Sequence, residues 1–299
     1  MDIESFSGAA TIALASTVVF VLVSKSWHIV SRTIGGEPRF SDSIMREAAQ
    51  RFRDEFERLN KRQSTYMSAG LVFVVLFAAA YVLNAERLFS GYPVWQLNIF
   101  VIALTAGTAL AANRLVQTFL ARRRISLLRD ANIAVGHQLQ GMAAGFGRVY
   151  HDVETPAGVI DHVIVGSSGA YAINVFAQPL KKSGTVELDG NALNFSPAAK
   201  SMSIVKTTAC TNALEREFRR LLDHRVRVRS VIAAPGWQVN AQSSEDHLIV
   251  NDKSLPILKG WKDKADYLID EDVEALHQLL TNRCSLKGAR DETPADPSR

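Results

Sequence analysis

Residues 159–176 read Val159-Ile160-Asp161-His162-Val163-Ile164-Val165-Gly166-Ser167-Ser168-Gly169-Ala170-Tyr171-Ala172-Ile173-Asn174-Val175-Phe176. Two runs rich in β-branched and aromatic residues flank a Gly-Ser-Ser-Gly turn, the pattern of a strand, a tight reversal and a second strand. With the helical patterns further along the chain, the stretch points to an α/β domain.

Working outward, Val149 to Val153 is a short strand candidate on the N-terminal side. Downstream, Asp189-Gly190-Asn191 marks a turn between short strands, and Pro197 opens a helix expected to run to about Leu222 with Ile204, Leu214, Phe218 and Leu221 inward. Val226 to Ala234 is a buried-type strand ended by Pro235-Gly236, followed by short pieces at His247–Val250 and Pro256–Leu258 and a helix over Asp270–Leu280. The expected division is a membrane region 1–113, a helical connector 114–135, an α/β domain 136–284 and a disordered tail 285–299.

The membrane region is expected from three apolar tracts, at about 5–24, 64–85 and 92–113. About twenty residues at roughly 1.5 Å each cross a hydrocarbon layer of roughly 30 Å. The acidic start Met1-Asp2-Ile3-Glu4 argues for a retained anchor over a cleaved signal peptide. Nine Lys and Arg lie in residues 25–63, and Arg114 and Arg122-Arg123-Arg124 follow the third tract. The positive-inside rule then places the N-terminus outside and the α/β domain in the cytoplasm, at a bacterial inner membrane, with oligomerisation through the spans open. Met45, Ala48, Phe52, Phe56 and Leu59 recur at helical spacing, which predicts a cytoplasmic amphipathic helix over about 43–63, free to pair as a stalk with a helix beyond residue 113 or to lie on the bilayer.

The runs Val149-Tyr150-His151-Asp152-Val153, Ile160-Asp161-His162-Val163-Ile164-Val165-Gly166 and Gly169-Ala170-Tyr171-Ala172-Ile173 resemble the nuclease-related domain known as NERD. The later Gly184-Thr185-Val186, Asp189-Gly190 and Val231-Ile232-Ala233 keep the same order, so the resemblance covers roughly residues 130–282. It implies a restriction-endonuclease-like PD-(D/E)xK fold, a mixed central sheet flanked by helices, and magnesium-dependent phosphodiester cleavage. In such a site an Asp ends one strand and a Glu-x-Lys pair lies on the next, because a hard cation needs carboxylate oxygens and a nearby positive charge steadies the transition state.

Asp161 stands at the Asp position, but Asn174 and Phe176 replace the Glu and Lys, and His137 follows Gly136 where the family has an upstream Gly-Glu. Asn174 has no charge, Phe176 moves no proton, and one carboxylate is a poor magnesium site. The expectation is a catalytically inactive domain with no cofactor that binds nucleic acid or a protein partner. Two alternatives stay open. One is a divergent nuclease using Mg or Mn at a site rebuilt around Asp161, from Glu154 or His137 and a lysine among Lys181, Lys182 and Lys200; His137, His151 and His162 at unhelpful spacings are further ligand candidates. The other is a membrane assembly module. The glycine-rich Gly141 to Gly147 does not match a phosphate loop.

Arg216, Arg219, Arg220, Arg225, Arg227 and Arg229 form a second candidate feature, a binding patch for phosphates or anionic lipid. Net charge alone does not argue for nucleic acid, since residues 114–299 hold 24 Lys and Arg against 21 Asp and Glu. Cys210 and Cys284, far apart and without partner spacing, read as reduced thiols.

Overall fold

The computed structural model describes residues 44–68, 94–143, 145, 147–179, 184–197, 200–240, 246–260 and 266–285. The chain divides into two compact units, one of Met1–Pro38 with Glu57–Arg122 and one of Arg39–Phe56 with Arg123–Arg299.

Two helices contribute to both units. Helix α1 covers residues 50–68, and α2 runs over Val94–Ala143. In the first unit Arg122 donates to the Gln63 side chain at 3.0 Å. The three-span architecture is corrected here, because among the described residues no helix is long and apolar enough to cross a membrane. The span expected at 5–24, and that at 64–85 beyond residue 68, lie outside the described residues. The tract at 92–113 falls, from Val94 on, in α2, which does not stop where a span would. The helix continues without a break past Arg114 and Arg122 to Ala143. The integral-membrane assignment falls with it, and so do the inner-membrane location and the outside N-terminus that rested on it.

The second unit is built on a five-stranded sheet, in the order β1-β2-β3-β7-β9. Strands β1 (Arg148–Thr155), β2 (Gly158–Gly166) and β3 (Gly169–Val175) pair antiparallel, as the tight turn requires. At that turn Gly169 has φ +119°, and a Cβ there would meet the Asp266 carbonyl oxygen at 3.1 Å, so a side chain is excluded on two grounds. Strand β7 (Val228–Ala233) lies parallel to β3, and β9 (His247–Val250) parallel to β7. A parallel pair needs a crossover, which α3 (Val205–Leu222) supplies. Every residue of β3 and β7 is buried, which accounts for their largely apolar sequences.

Strands β4 (Thr185–Asp189), β5 (Ala192–Ser196), β6 (Lys200–Ser203) and β8 (Gln238–Val239) form a second sheet in the order β6-β5-β4-β8. The helix expected from Pro197 therefore starts later, at Val205, because β6 uses the intervening residues to pair with β5. Helix α4 covers Asp270–Cys284.

Three apolar clusters fix these layers. Val163, Val165, Ala170 and Ala172 pack with Leu214 and Phe218 of α3 and Leu276 and Leu280 of α4. Ile164, Tyr171, Ile173, Val231 and Leu248 pack with Val135, Leu139 and Met142 at the end of α2. Ile232 and Ile249 meet Val186, Leu193, Phe195 and Trp237, against the second sheet. Residues 44–49 are not helical, although the apolar spacing predicts a helix from about 43. Met45 bridges to Ser285, the Arg46 amide donates to the Cys284 carbonyl at 2.9 Å, and Ala49 turns the chain at φ +63°.

This segment packs against α2 at Gly136, where a Cβ would stand 2.6 Å from the Cβ of Ala48 and 3.2 Å from His162 Cε1. Gly136→Ala gains helix propensity of about 1 kcal/mol but meets backbone-anchored atoms, so overpacking of about 1–3 kcal/mol prevails. Urea unfolding is expected to show net destabilisation that Ala48→Gly partly restores. A stabilised Gly136→Ala chain would show that the approach is not tight.

Candidate functional site

Strands β2 and β3 pair only from Gly166↔Gly169 to His162↔Ile173. Beyond that point β2 continues with β1, and β3 with β7, so the sheet forks. Asp161 is the first residue of β2 past the fork, and Asn174 the first of β3. A fork frees backbone donors that a ladder would have used. Asp161 takes one of them, its Oδ2 accepting from the Val175 amide at 2.7 Å.

Its other oxygen, Oδ1, accepts from Arg51 Nη2 at 2.7 Å. Arg51 stands in the first turn of α1, 110 residues earlier in the chain. Its backbone amide donates to Oδ2 of Asp152 at 2.9 Å, and its Nε lies 3.9 Å from Asp152 Oδ1. The residue before the helix start, Ala49, has no side-chain acceptor for the unsatisfied first-turn amides. Asp152, reaching over from β1, serves as a cap and sits at the positive end of the helix dipole. Arg46, itself buried, donates to the Asp152 carbonyl oxygen at 2.7 Å and to Glu154 Oε1 at 2.9 Å.

Two carboxylates thus meet at the fork, Asp152 and Asp161, with 3% and 8% of their side-chain surface exposed, beside an Arg51 side chain that is 35% exposed. Burial pushes the Asp161 carboxyl up to about 6, against the lowering effect of Arg51 and of the Val175 hydrogen bond; the neighbouring Asp152 raises it further. Burial likewise raises Asp152, while Arg51 and Arg46 lower it.

The residues next to these carboxylates, His151 and His162, face each other with Nδ1 to Nδ1 at 2.8 Å and rings nearly perpendicular. The Gln140 amide nitrogen, 3.0 Å from His151 Nε2, can only donate, so as that amide is placed His151 carries its proton on Nδ1 and gives it to His162. Burial lowers His151 to about 4 and His162 well below the usual histidine range, so both rings are neutral. They are bonded to one another across a gap too short for a metal between two nitrogens, each of which would need about 2.0–2.1 Å.

The other expected site residues divide. His137 is exposed on α2 and takes no part in the fork. Phe176 is half-buried and packs on the cluster of Ile232, Phe195 and Trp237. Asn174 is buried, and its Nδ2 has no hydrogen-bond partner among the described residues. Lys200 lies exposed on β6, and Lys181 and Lys182 are outside the described residues. Of the six arginines, Arg216, Arg219, Arg220, Arg225 and Arg227 are exposed, and Arg216 and Arg219 line a groove. Arg229 departs from that patch: β7 begins at Val228, and Arg229 is buried in it with Nε 2.6 Å from Asp266 Oδ2.

A divalent cation of the kind the resemblance implies does not fit this donor set. Both oxygens of Asp161 are engaged by N–H donors, and the position next to it holds a guanidinium. Among the described residues no group of three His, Cys, Asp or Glu side chains stands close enough to hold a metal. The signal for Arg51 and Asp152 is weak in the sequence, where both read as ordinary charges.

The titrations oppose each other. His151, depressed in the folded state, contributes stability that is present above about 6.5 and lost as pH falls through about 4, and His162 acts in the same direction. Asp161, raised in the folded state, contributes stability that is present below about 3.9 and lost as pH rises through about 6. Asp161→Asn removes the opposing contribution, so its unfolding midpoint should fall more steeply than the native chain's between pH 6.5 and 4. Parallel curves would count against this assignment.

No family model, curated protein or solved structure matches the chain.

Proposed function

We propose that the second unit is a nuclease-like domain without catalytic activity that binds the phosphate backbone of nucleic acid. What carries the reading is the fork. Arg51 there saturates Asp161, while Asn174 and Phe176 stand where the NERD resemblance calls for a carboxylate and an ammonium. Hydrolysis of a phosphodiester needs an activated water and charge stabilisation at the reacting phosphorus. A carboxylate already bound to a guanidinium and a backbone amide offers neither.

Binding is supported by the end of α3 and the chain leading into β7. The acidic side chains near the five arginines are largely engaged: Glu215 accepts from the Val228 amide at 3.2 Å, Glu217 pairs with Arg283, and Asp272 lies 2.9 Å from His224 Nε2. Asp223 remains as an exposed carboxylate at the left-handed end of the helix. None of the five arginines has a carboxylate partner among the described residues. Arg216 and Arg219 also line a groove with Ala157, Ala209, Asn212 and Glu215, so part of the charge borders a concave surface. Phosphates recognise such a surface through Coulomb attraction and counterion release.

The full chain should bind single- or double-stranded oligonucleotides, with an affinity that falls steeply with salt, and should leave them uncut in Mg or Mn. Replacing Arg216, Arg219 and Arg220 by Gln should weaken binding about tenfold or more near 0.1 M salt and flatten the salt slope by about 0.7–0.9 for each phosphate no longer neutralised. Cleavage abolished by Asp161→Ala would overturn the catalytic half of the proposal. Unchanged binding by the triple variant would overturn the other half.

A further inference from the structure

The fork holds two buried carboxylates one strand apart, an arrangement that in isolation would repel itself and protonate. We infer that Arg51 is the fork's resident cation: with the N-terminus of α1 it supplies the positive charge that lets Asp152 and Asp161 stay together, and it closes the fork to divalent metal. The inference rests on the reading of the domain as non-catalytic and adds to it what occupies the site and where that occupant comes from.

Several independent features converge on this one docking. The Arg51 guanidinium engages Asp161, and the amide of the same residue engages Asp152, so side chain and helix end address different carboxylates. Ala49 and Asp152, on the two sides of the contact, each adopt positive φ, +63° and +50°, a conformation unfavourable for non-glycine residues that persists only where surroundings impose it. Gly136 lacks a side chain where Ala48 lies against α2. Arg46 fastens the same segment to Asp152 and Glu154, and Met45 to Ser285. Both oxygens of Asp161 are already taken, one by the guanidinium and one by the Val175 amide, so a cation would have to displace Arg51 to reach that carboxylate.

Among the described residues the charged and titratable groups around the pair come from several elements, including the buried Cys284 thiol at the end of α4, which interacts with Asp152. Arg51 and Arg46 face it from the 44–51 segment, and Asp54 from α1 acts weakly against it. Glu154 lies on β1, and the neutral His151 and His162 adjoin it on β1 and β2. Arg51 is the cation whose side chain reaches Asp161.

The experiment is a double-mutant cycle on the full chain by urea unfolding. Arg51→Met keeps the apolar stem and removes the charge, leaving two buried carboxylates without it. Its midpoint should drop by about 1 M urea or more at pH 7.5. Arg51→Met/Asp161→Asn should be more stable than Arg51→Met alone, since the charge that needed compensation is gone. The deficit of Arg51→Met should also shrink at pH 5, where the unpaired carboxylates take up protons. Losses that simply add, or a deficit independent of pH, would overturn the inference. If Arg51→Met does not fold, Arg51→Lys carries the same comparison: its loss should shrink in the Asp161→Asn background, and additive losses would overturn. MnCl2 at millimolar concentration should leave the native midpoint unchanged. An Asp161-dependent rise in the native chain would show the fork open to metal and defeat the claim, while the question of nucleic-acid binding by the arginines would stand apart.

Discussion

The second unit depends on a buried electrostatic constraint: Asp152 and Asp161 share a fork in the sheet, and a positive group must stand between them. Two like charges at this depth repel, and burial raises the pKa of both. The chain meets the constraint with a segment from far upstream, 44–51, which brings a guanidinium and the positive end of a helix to the same place. Removing one member of such a set costs far more than the set contributes, because a charge is then stranded. The interaction is therefore better understood as fixing one arrangement than as a large net stabiliser. The partly exposed position of Arg51 tempers its strength further through solvent screening.

The backbone irregularities follow from the same requirement. Left-handed conformations at Ala49 and Asp152 are unfavourable for those residue types, and neither would arise from local preference. Each orients a group that the docking needs, the start of α1 in one case and a capping carboxylate in the other. Beside them His151 and His162 complete a polar layer without adding charge. Their mutual hydrogen bond satisfies one nitrogen of each ring, and the Gln140 amide satisfies the other nitrogen of His151. Neutral imidazoles are suited to a site whose charge is already balanced.

The elements that carry short-range patterns are legible from the sequence. The two apolar runs around Gly166 and Gly169 form β2 and β3, and Val228–Ala233 and Asp270–Cys284 fall where composition places a strand and a helix. Three things are not legible, for physical reasons. The start of α3 lies later than Pro197 suggests because pairing with β5 turns residues 200–203 into a strand, a long-range effect that overrides local propensity. Arg46 and Arg51 read as charges on an amphipathic helix, because their partners lie more than 100 residues away and no periodicity links them. Arg229 reads as part of a surface patch only if strand alternation is extended through Arg225 and Arg227, which precede β7. The apolar tract in α2 shows the converse error: hydrophobic content over 20 residues suggests a bounded segment, whereas the helix continues to residue 143, where Val135, Leu139 and Met142 pack against the sheet. Position in a motif singles out Asp161, but its chemistry is set by a neighbour that the motif does not contain.

The ion pairs that assemble the domain also create its charge asymmetry. Glu217 binds Arg283 and so ties α3 to α4, Glu215 receives the first amide of β7, and Asp272 holds His224 at the close of α3. Each carboxylate used in these joints is oriented toward the protein, and the arginines interleaved with them, Arg219 and Arg220 above all, are left facing water. Helical spacing enforces the split: Glu217 and the buried Phe218 and Leu214 occupy the packed side of α3, while residues 216, 219 and 220 follow the turn around to the other. A basic surface here needs no excess of basic residues in the chain, and the nearly balanced composition of the domain is compatible with local recognition of phosphate. Since the packed side is held by Leu214 and Phe218 and not by the arginines, charge on the outer side can vary with little effect on the fold.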